Sequence, residues 1–329
     1  MASTVHGVVF DDPELEGAVR RGLDAVETLL RTTVTSDYPL LTETSRHLVD
    51  AGGKRFRPLL AILASQLGDP AAPGVVPSAV VVELTHLATL FHDDVMDEAT
   101  MRRGTRSANA RWDNTVAILT GDFLFSKASD LLADLGPEAV RIQARTFSRL
   151  VEGQIRETVG AREGEDPVEH YLKVLVDKTG SLIATSGRLG AMLAGADAAV
   201  VDALTSYGEA IGIAFQLSDD LLDVASETGD SGKTPGTDLR EGVRTLPVLY
   251  ALRDAPDDRL AELLSGDLTD NASHAEALAL LRVHPAMEAA RATLVAYADG
   301  AKAVISQLPA GPPRAALEAL ADFVVVRTG

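Results

Sequence analysis

Apolar residues in this chain return every three or four positions through most of its length, and that rhythm most narrows what it can fold into. Leu, Ala and Val keep it through Leu15–Leu30, Leu40–Val49, Val80–Leu90, Val116–Leu132, Val140–Val159, Val168–Leu193 and Ala198–Leu222, so each segment reads as a helix with an apolar face. Strand cues are nearly absent: no Asn-Gly turn joins alternating runs, and no series of short β-branched segments appears. Pro77, Pro137 and Pro167 suit the first turns of helices, and Gly52-Gly53, Gly68, Gly136, Gly164 and Gly195 suit helix ends. Val80–Leu90 and Ala198–Leu222 are apolar on most faces, as the central helices of a bundle must be. The expected fold is all-α, a single large helical bundle. No linker or composition shift divides Leu15 from Tyr250. The polar stretches Asp254–Asp258 and Gly266–Ser273 precede helices near Ala286–Leu308 and Pro313–Val326. These read as peripheral helices, from about residue 255, on one catalytic domain spanning 1–329.

Composition narrows the function. With 48 Asp and Glu against 30 Lys and Arg, the net charge is −18, which repels polyanions and makes nucleic acid an unlikely partner. A 46% hydrophobic content beside 24% charged residues argues against disorder. The absence of cysteine excludes disulfides, thiolate metal sites and cysteine nucleophiles, and suits a reducing cytoplasm. Met1–Glu16 lacks the basic-then-apolar layout of a signal peptide. The apolar stretches are broken before the ~20 residues that cross a bilayer. A soluble cytoplasmic protein is expected, with room for transient membrane contact.

Two of the apolar helices end alike. Leu90-Phe91-His92-Asp93-Asp94-Val95-Met96-Asp97 has its counterpart in Gln216-Leu217-Ser218-Asp219-Asp220-Leu221-Leu222-Asp223. Residues four apart share a helical face, so Asp93 stacks with Asp97 and Asp219 with Asp223. Like charges so placed repel by a few tenths of a kcal/mol per pair unless something offsets them. Hard cations on oxygen ligands are the natural offset. One such motif in an acidic chain is a solvated helix end; two, each closing an apolar helix, point to metal. Without thiolates or paired histidines for zinc, the expected ion is Mg²⁺.

Carboxylate-bound Mg²⁺ suggests a phosphate substrate, and the basic residues agree. Gly52-Gly53-Lys54-Arg55-Phe56-Arg57-Pro58 puts three cations in four positions. Met101-Arg102-Arg103-Gly104 follows the first acidic motif, and Gly232-Lys233-Thr234-Pro235-Gly236-Thr237-Asp238 follows the second. Lys178-Thr179 lies within a helical stretch. Arg forks and Lys point charges suit diphosphate oxygens, although each cation alone is more often a solvated side chain. Gly232–Gly236 lacks the Walker spacing and a preceding strand, and no Rossmann fingerprint is present. His86 and His92 are six apart, unsuited to joint ligation; His86, two turns before Asp93, is read as a substrate contact.

Together these residues resemble the trans-isoprenyl diphosphate synthases, or polyprenyl synthetases, of the long-chain type. The likeness runs from about residue 30 to 250 and takes in Gly52–Pro58, Glu83–Asp97, Arg102–Gly104, Leu119–Phe123, Lys178–Thr179, Phe215–Asp223 and Gly232–Pro247 in order. It implies a helical bundle around a deep central cavity, a homodimer, and head-to-tail condensation of isopentenyl diphosphate onto an allylic diphosphate. It further implies that Asp93, Asp94 and Asp97 hold two Mg²⁺ and that Asp219, with Asp220 and Asp223 beside it, holds a third. By the same resemblance Arg102, Lys178, Thr179, Gln216 and Lys233 bind the allylic diphosphate, and Lys54, Arg57, His86 and Arg103 bind isopentenyl diphosphate. Two positions depart from the family: Val243 stands where a Lys is frequent, with Arg244 adjacent, and Phe56 stands where an Asn sometimes occurs.

The implied chemistry is ionisation followed by alkylation. Cations stabilise the separating diphosphate, a dry pocket protects the allylic cation, and the departed diphosphate takes the proton. Product length depends on the pocket beneath the metals. Thr85 and Thr89 lie on or near the face of Asp93, and the resemblance sets Ala88 beside them. All three are small, which points to products of C30 or longer, with Phe123 and Phe125 as a floor lower down. Three alternatives are a shorter-chain (C15–C25) synthase, a class I terpene cyclase and a regulatory subunit of a hetero-oligomeric synthase. The second acidic motif and the Lys54/Arg57 cluster favour the condensing enzyme over the cyclase, and retention of all six aspartates favours it over the regulatory subunit.

Overall fold

The helices begin where the sequence chemistry puts their caps. In the computed structural model, which describes residues 4–5, 7–226, 235–254 and 259–327, Asp12 caps helix α1 (Pro13–Thr33) by accepting from the Leu15 amide at 2.7 Å, with Pro13 opening the first turn. Asp113 does the same for Val116 in α6 (Asn114–Leu135). Asp166 accepts from the Val168 and Glu169 amides of α8 (Pro167–Leu175). Each such cap is worth about 1 kcal/mol.

Between these lie α2 (Pro39–Asp50), α3 (Phe56–Ser65), α4 (Val75–Met96), the short α5 (Ala108–Arg111) and α7 (Pro137–Val159). There follow α9 (Ser181–Leu193), α10 (Ala198–Ala225), the short α11 (Thr237–Arg240), α12 (Leu246–Asp254) and α13 (Arg259–Leu264). The chain closes with α14 (Asn271–Val283), α15 (Pro285–Ile305) and α16 (Pro312–Val326). The all-α expectation holds, with two small additions. Strands β1 (Thr4–Val5) and β2 (Val8–Val9) form one antiparallel pair, and β3 (Met101–Arg102) and β4 (Thr105–Arg106) another. Two-residue strands leave no alternation for a sequence reading to find.

One segment departs from the expected helix at Val168–Leu193. Between α8 and α9, residues Val176–Gly180 form a π-turn, a widened turn frequent at functional sites. Lys178 and Thr179 are inside it.

The chain divides into two compact units, one comprising residues 1–147, 182–208 and 307–319, the other 148–181, 209–306 and 320–329. In the first, α4 packs against α1, α3 and α6. Its Val80, Val81, Val82, Leu84 and Leu87 are fully buried, each contributing about 1.5–3 kcal/mol by leaving water. In the second, Val248, Leu260, Leu264, Leu278 and Leu281 centre a separate core. Helices α4 and α10 are long and apolar enough to span a bilayer, which the segment lengths in the sequence did not suggest. Within α4, however, 67% of the apolar window is buried inside the protein.

Candidate active site

Helix α4 carries the residues of the first acidic motif on one side. Glu83, His86, Asp93, Asp94 and Asp97 occupy its last four turns, ending at the C-cap, Asp97. The carbonyl end of a helix is negative, so acids there raise the demand for cations. Asp97 is exposed, Asp93 is partly buried and Asp94 is fully buried. Arg102 Nε donates to Asp94 Oδ1 at 2.6 Å, whereas Asp94 Oδ2 is buried with no hydrogen-bond partner among the described residues. Burial pushes the Asp94 carboxyl up, against the pull of Arg102.

Arg102 and Arg103 reach α4 from the β3–β4 hairpin. Its turn residues, Arg103 and Gly104, both have positive φ, 52° and 74°, the backbone that matches a tight two-residue turn to twisted strands. Arg103 Nη1 donates to the carbonyls of Leu48, at 3.0 Å, and Gly52. A Cβ at Gly53 would lie 2.8 Å from the Arg103 guanidinium carbon, so glycine makes room for this contact. His86 faces Arg57, Arg103, Arg102 and Arg55. Burial first, and then those cations, hold its imidazole well below the usual range, so it is neutral. Arg57 is pushed down to about 10 chiefly by burial, and its Nε has no hydrogen-bond partner among the described residues. Lys54 is exposed.

Beneath Asp93, Thr85 and Ala88 are buried and Thr89 is partly so. The Thr85 hydroxyl accepts from Gln143 Nε2 at 2.6 Å. Phe125 stacks on Phe147, with ring centres 4.2 Å apart. His92 turns aside to Asp122 and the Ile118 carbonyl on α6.

The second unit carries the other acidic motif. Asp219 pairs with Arg327 at 2.9 Å. Asp220 is buried and accepts from the Tyr171 hydroxyl at Oδ2 and from Gln216 Nε2, at 3.0 Å, at Oδ1. Burial raises its pKa to about 7 despite both hydrogen bonds, with Asp219 and Asp223 adding to the rise. Tyr171 is held well above its ordinary value by burial and by Asp220, so it stays a donor. Asp223 accepts from the Thr237 and Asp238 amides at 3.2 and 3.1 Å, tying the end of α10 to α11. Lys178 Nζ donates to Glu157, and Thr179 is partly buried in the π-turn. Lys233 lies outside the described residues. Arg327, Tyr171, Glu157 and Glu83 are partners that the sequence reading passed over. Only Glu83, three residues before His86 on one helical face, left a local signal.

Among the described residues no three acids or histidines gather as a ready-made metal cage. A magnesium ion held with a phosphate would draw one or two carboxylates from protein and the remainder from phosphate and water. The hard oxygen donors at Asp93 and Asp97, and the orphaned buried oxygen of Asp94, suit such an ion.

The polyprenyl synthetase family model matches residues 38–281. A nonaprenyl diphosphate synthase of Mycobacterium tuberculosis is 51% identical over 331 aligned positions, which cover 100% of this chain and 99% of its own. Among solved structures, a geranylgeranyl pyrophosphate synthase from Corynebacterium glutamicum, complexed with calcium and isoprenyl diphosphate, superposes with a TM-score of 0.87 at 49% identity. That match covers 98% of this chain and 100% of the other. A decaprenyl diphosphate synthase from Rhodobacter capsulatus gives 0.87 at 36% identity, covering 96% and 99%. With its helices, acidic motifs and arginines in that company over its whole length, the chain belongs to the polyprenyl synthetase family.

Proposed function

We propose that this chain is a polyprenyl diphosphate synthase that lengthens an allylic diphosphate with isopentenyl diphosphate in trans head-to-tail steps, to products of C30 or longer. It is a prenyltransferase, and the full-length likeness to a nonaprenyl diphosphate synthase carries the reading. The chain is read as one catalytic domain with two diphosphate-serving acidic motifs. Asp93, Asp94 and Asp97 would hold two Mg²⁺ and Asp219, with Asp220 and Asp223 beside it, a third; in this structure Asp220 accepts from Tyr171 and Gln216. When bound, the ions supply Lewis-acid neutralisation of the leaving diphosphate.

The chain's own groups do the remainder. Arg102, Lys178 and Lys233 bind the allylic diphosphate as its C–O bond breaks and the electron pair leaves with oxygen. The Thr179 hydroxyl and Gln216 face the allylic cation. Lys54, Arg57, Arg103 and neutral His86 hold isopentenyl diphosphate so that its alkene attacks that cation. The proton lost from the new C5 unit goes to the departed diphosphate. Thr85, Ala88 and Thr89 leave the growing chain an apolar path, ended by Phe123 and Phe125.

Purified protein incubated with labelled isopentenyl diphosphate, several allylic primers and Mg²⁺ should build long prenyl chains and stop when EDTA is added. Hydrocarbon release without elongation would make it a cyclase, and no turnover without a partner protein would make it a subunit. Ala88→Phe should shorten the main product by at least one C5 unit on chromatography of the dephosphorylated chains. We further assign the enzyme to the cytoplasm as a homodimer; sedimentation tests the assembly.

A further inference from the structure

Glu83 has no assigned part in the reaction, yet among the described residues it is a fully buried carboxylate facing the arginines of the first unit. It is 1% exposed. Its Oε1 accepts from Arg55 Nη1 at 2.8 Å and lies 3.8 Å from Arg103 Nη2. Arg57 feels the same charge.

The arginines around it are not equivalent. Arg55 is consumed: Nε binds Glu27 Oε1, Nη2 binds Glu27 Oε2 and, at 3.0 Å, the Val49 carbonyl, and Nη1 binds Glu83. Only 6% exposed and held at φ 44° just before α3, it is a strut that ties the Gly52–Arg57 turn to α1, α2 and α4. A non-glycine residue in that backbone region persists only where its surroundings over-determine it. Arg103 is less complete, with two carbonyls on Nη1 and a longer approach to Glu83 on Nη2.

A buried carboxylate facing several guanidinia offsets part of the cost of gathering them while leaving net positive charge for an arriving anion. Removing such a partner costs more than the pair's net worth, because the remaining cations are left buried and misdirected.

We infer that Glu83 is a positioning residue for the non-allylic substrate. It does not touch the diphosphate; it orients Arg103 directly and, through Arg55, sets the turn that carries Lys54 and Arg57. The inference rests on the assignment of Lys54, Arg57, His86 and Arg103 to isopentenyl diphosphate.

The test compares Glu83→Gln, which keeps shape and loses charge, with Glu83→Asp, which keeps charge. Glu83→Gln should raise KM for isopentenyl diphosphate by about tenfold, the scale of one charge-assisted hydrogen bond, with KM for the allylic substrate within about twofold. Calorimetric binding of isopentenyl diphosphate alone should weaken in parallel, and Glu83→Asp should recover most of the loss. An unchanged or lowered KM for isopentenyl diphosphate would overturn the inference, as would equal rises in both KM values, which mark a packing defect. Should Glu83→Gln fail to fold, Glu27→Gln takes its place: it strips Arg55 of its outer partner and should raise the same KM about twofold to fivefold, and no rise would count against the inference. Arg57→Gln separates the two levels. If it raises KM for isopentenyl diphosphate while Glu83→Gln does not, only the positioning role falls; if it has no effect, the assignment of the site falls with it.

Discussion

Asp94 and Asp220 hold the same place in two motifs that read alike, yet the protein treats them differently. Asp94 has one oxygen on Arg102 and the other buried without a hydrogen bond among the described residues, while Asp97 beside it is exposed at the end of α4. Around Asp220 every acid has a protein partner: Asp219 has Arg327, Asp220 has Tyr171 and Gln216, and Asp223 has two backbone amides. The first motif thus keeps one buried oxygen, Asp94 Oδ2, open to a cation. The second is already satisfied in part, so a ligand there must displace or share existing partners. A repeated sequence therefore marks repeated chemistry without repeating its energetics.

The largest effect should come from the first motif. Asp93→Asn and Asp97→Asn should each lower turnover about 10²- to 10³-fold in labelled isopentenyl diphosphate incorporation, the scale of losing one preorganised electrostatic contact in a transition state. A loss below tenfold for both, beside abolition by Asp219→Asn, would reverse the ranking of the two motifs. Asp220→Asn probes the satisfied one, because it turns an amide donor towards Tyr171 or Gln216. It should cost about 1–3 kcal/mol in metal-free thermal unfolding, more than Asp97→Asn at its exposed position.

Arg327 offers a subtler probe. With the guanidinium gone, Asp219 no longer carries a competing cation. Arg327→Met should therefore lower the Mg²⁺ concentration for half-maximal rate by about twofold to fivefold, the worth of a partly exposed ion pair. A higher Mg²⁺ requirement would mean that Arg327 assists loading rather than competing with it.

The smallest effects are pH slopes, and they should have opposite signs. His86 is depressed in the folded state, so the unfolded chain binds the extra proton first and stability falls as pH drops below about 6.5. Asp220 is raised to about 7, so the folded state holds its proton longer and that group's stabilisation is lost as pH rises from about 4 to 7. In EDTA, His86→Asn should remove the first dependence and Asp220→Asn the second, each read as a flatter melting-temperature profile than the parent's.

These contrasts also show how far the sequence speaks. Apolar spacing located the long helices α1, α2, α4, α6, α7, α10, α15 and α16 and the α8–α9 stretch because burial acts on faces, while α3, α5 and α11 to α14 were not picked out. The spacing of Asp93 with Asp97 and of Asp219 with Asp223 needed only helical geometry. The glycines at 52 and 53 announced the turn before α3. Nothing local announced that Tyr171 would reach Asp220, 49 positions away, or that an arginine at the far end of the chain would settle on Asp219. Such partners are chosen by packing, which periodicity does not encode. The β3–β4 hairpin escaped because two residues per strand make no pattern, and the break between α8 and α9 escaped because it lies inside one run of helical apolar spacing.

That break has a consequence of its own. A π-turn spends one more residue than the helix around it, and each residue in a helix advances the direction of its side chain by about 100°. Trimming one residue from Val176–Gly180 would therefore restore regular winding while re-aiming everything on one side of the cut. The widened turn works as a phase shifter: it lets α8 and α9 keep their own packing registers while the chain between them carries Lys178 and Thr179 at an azimuth that neither helix alone would supply.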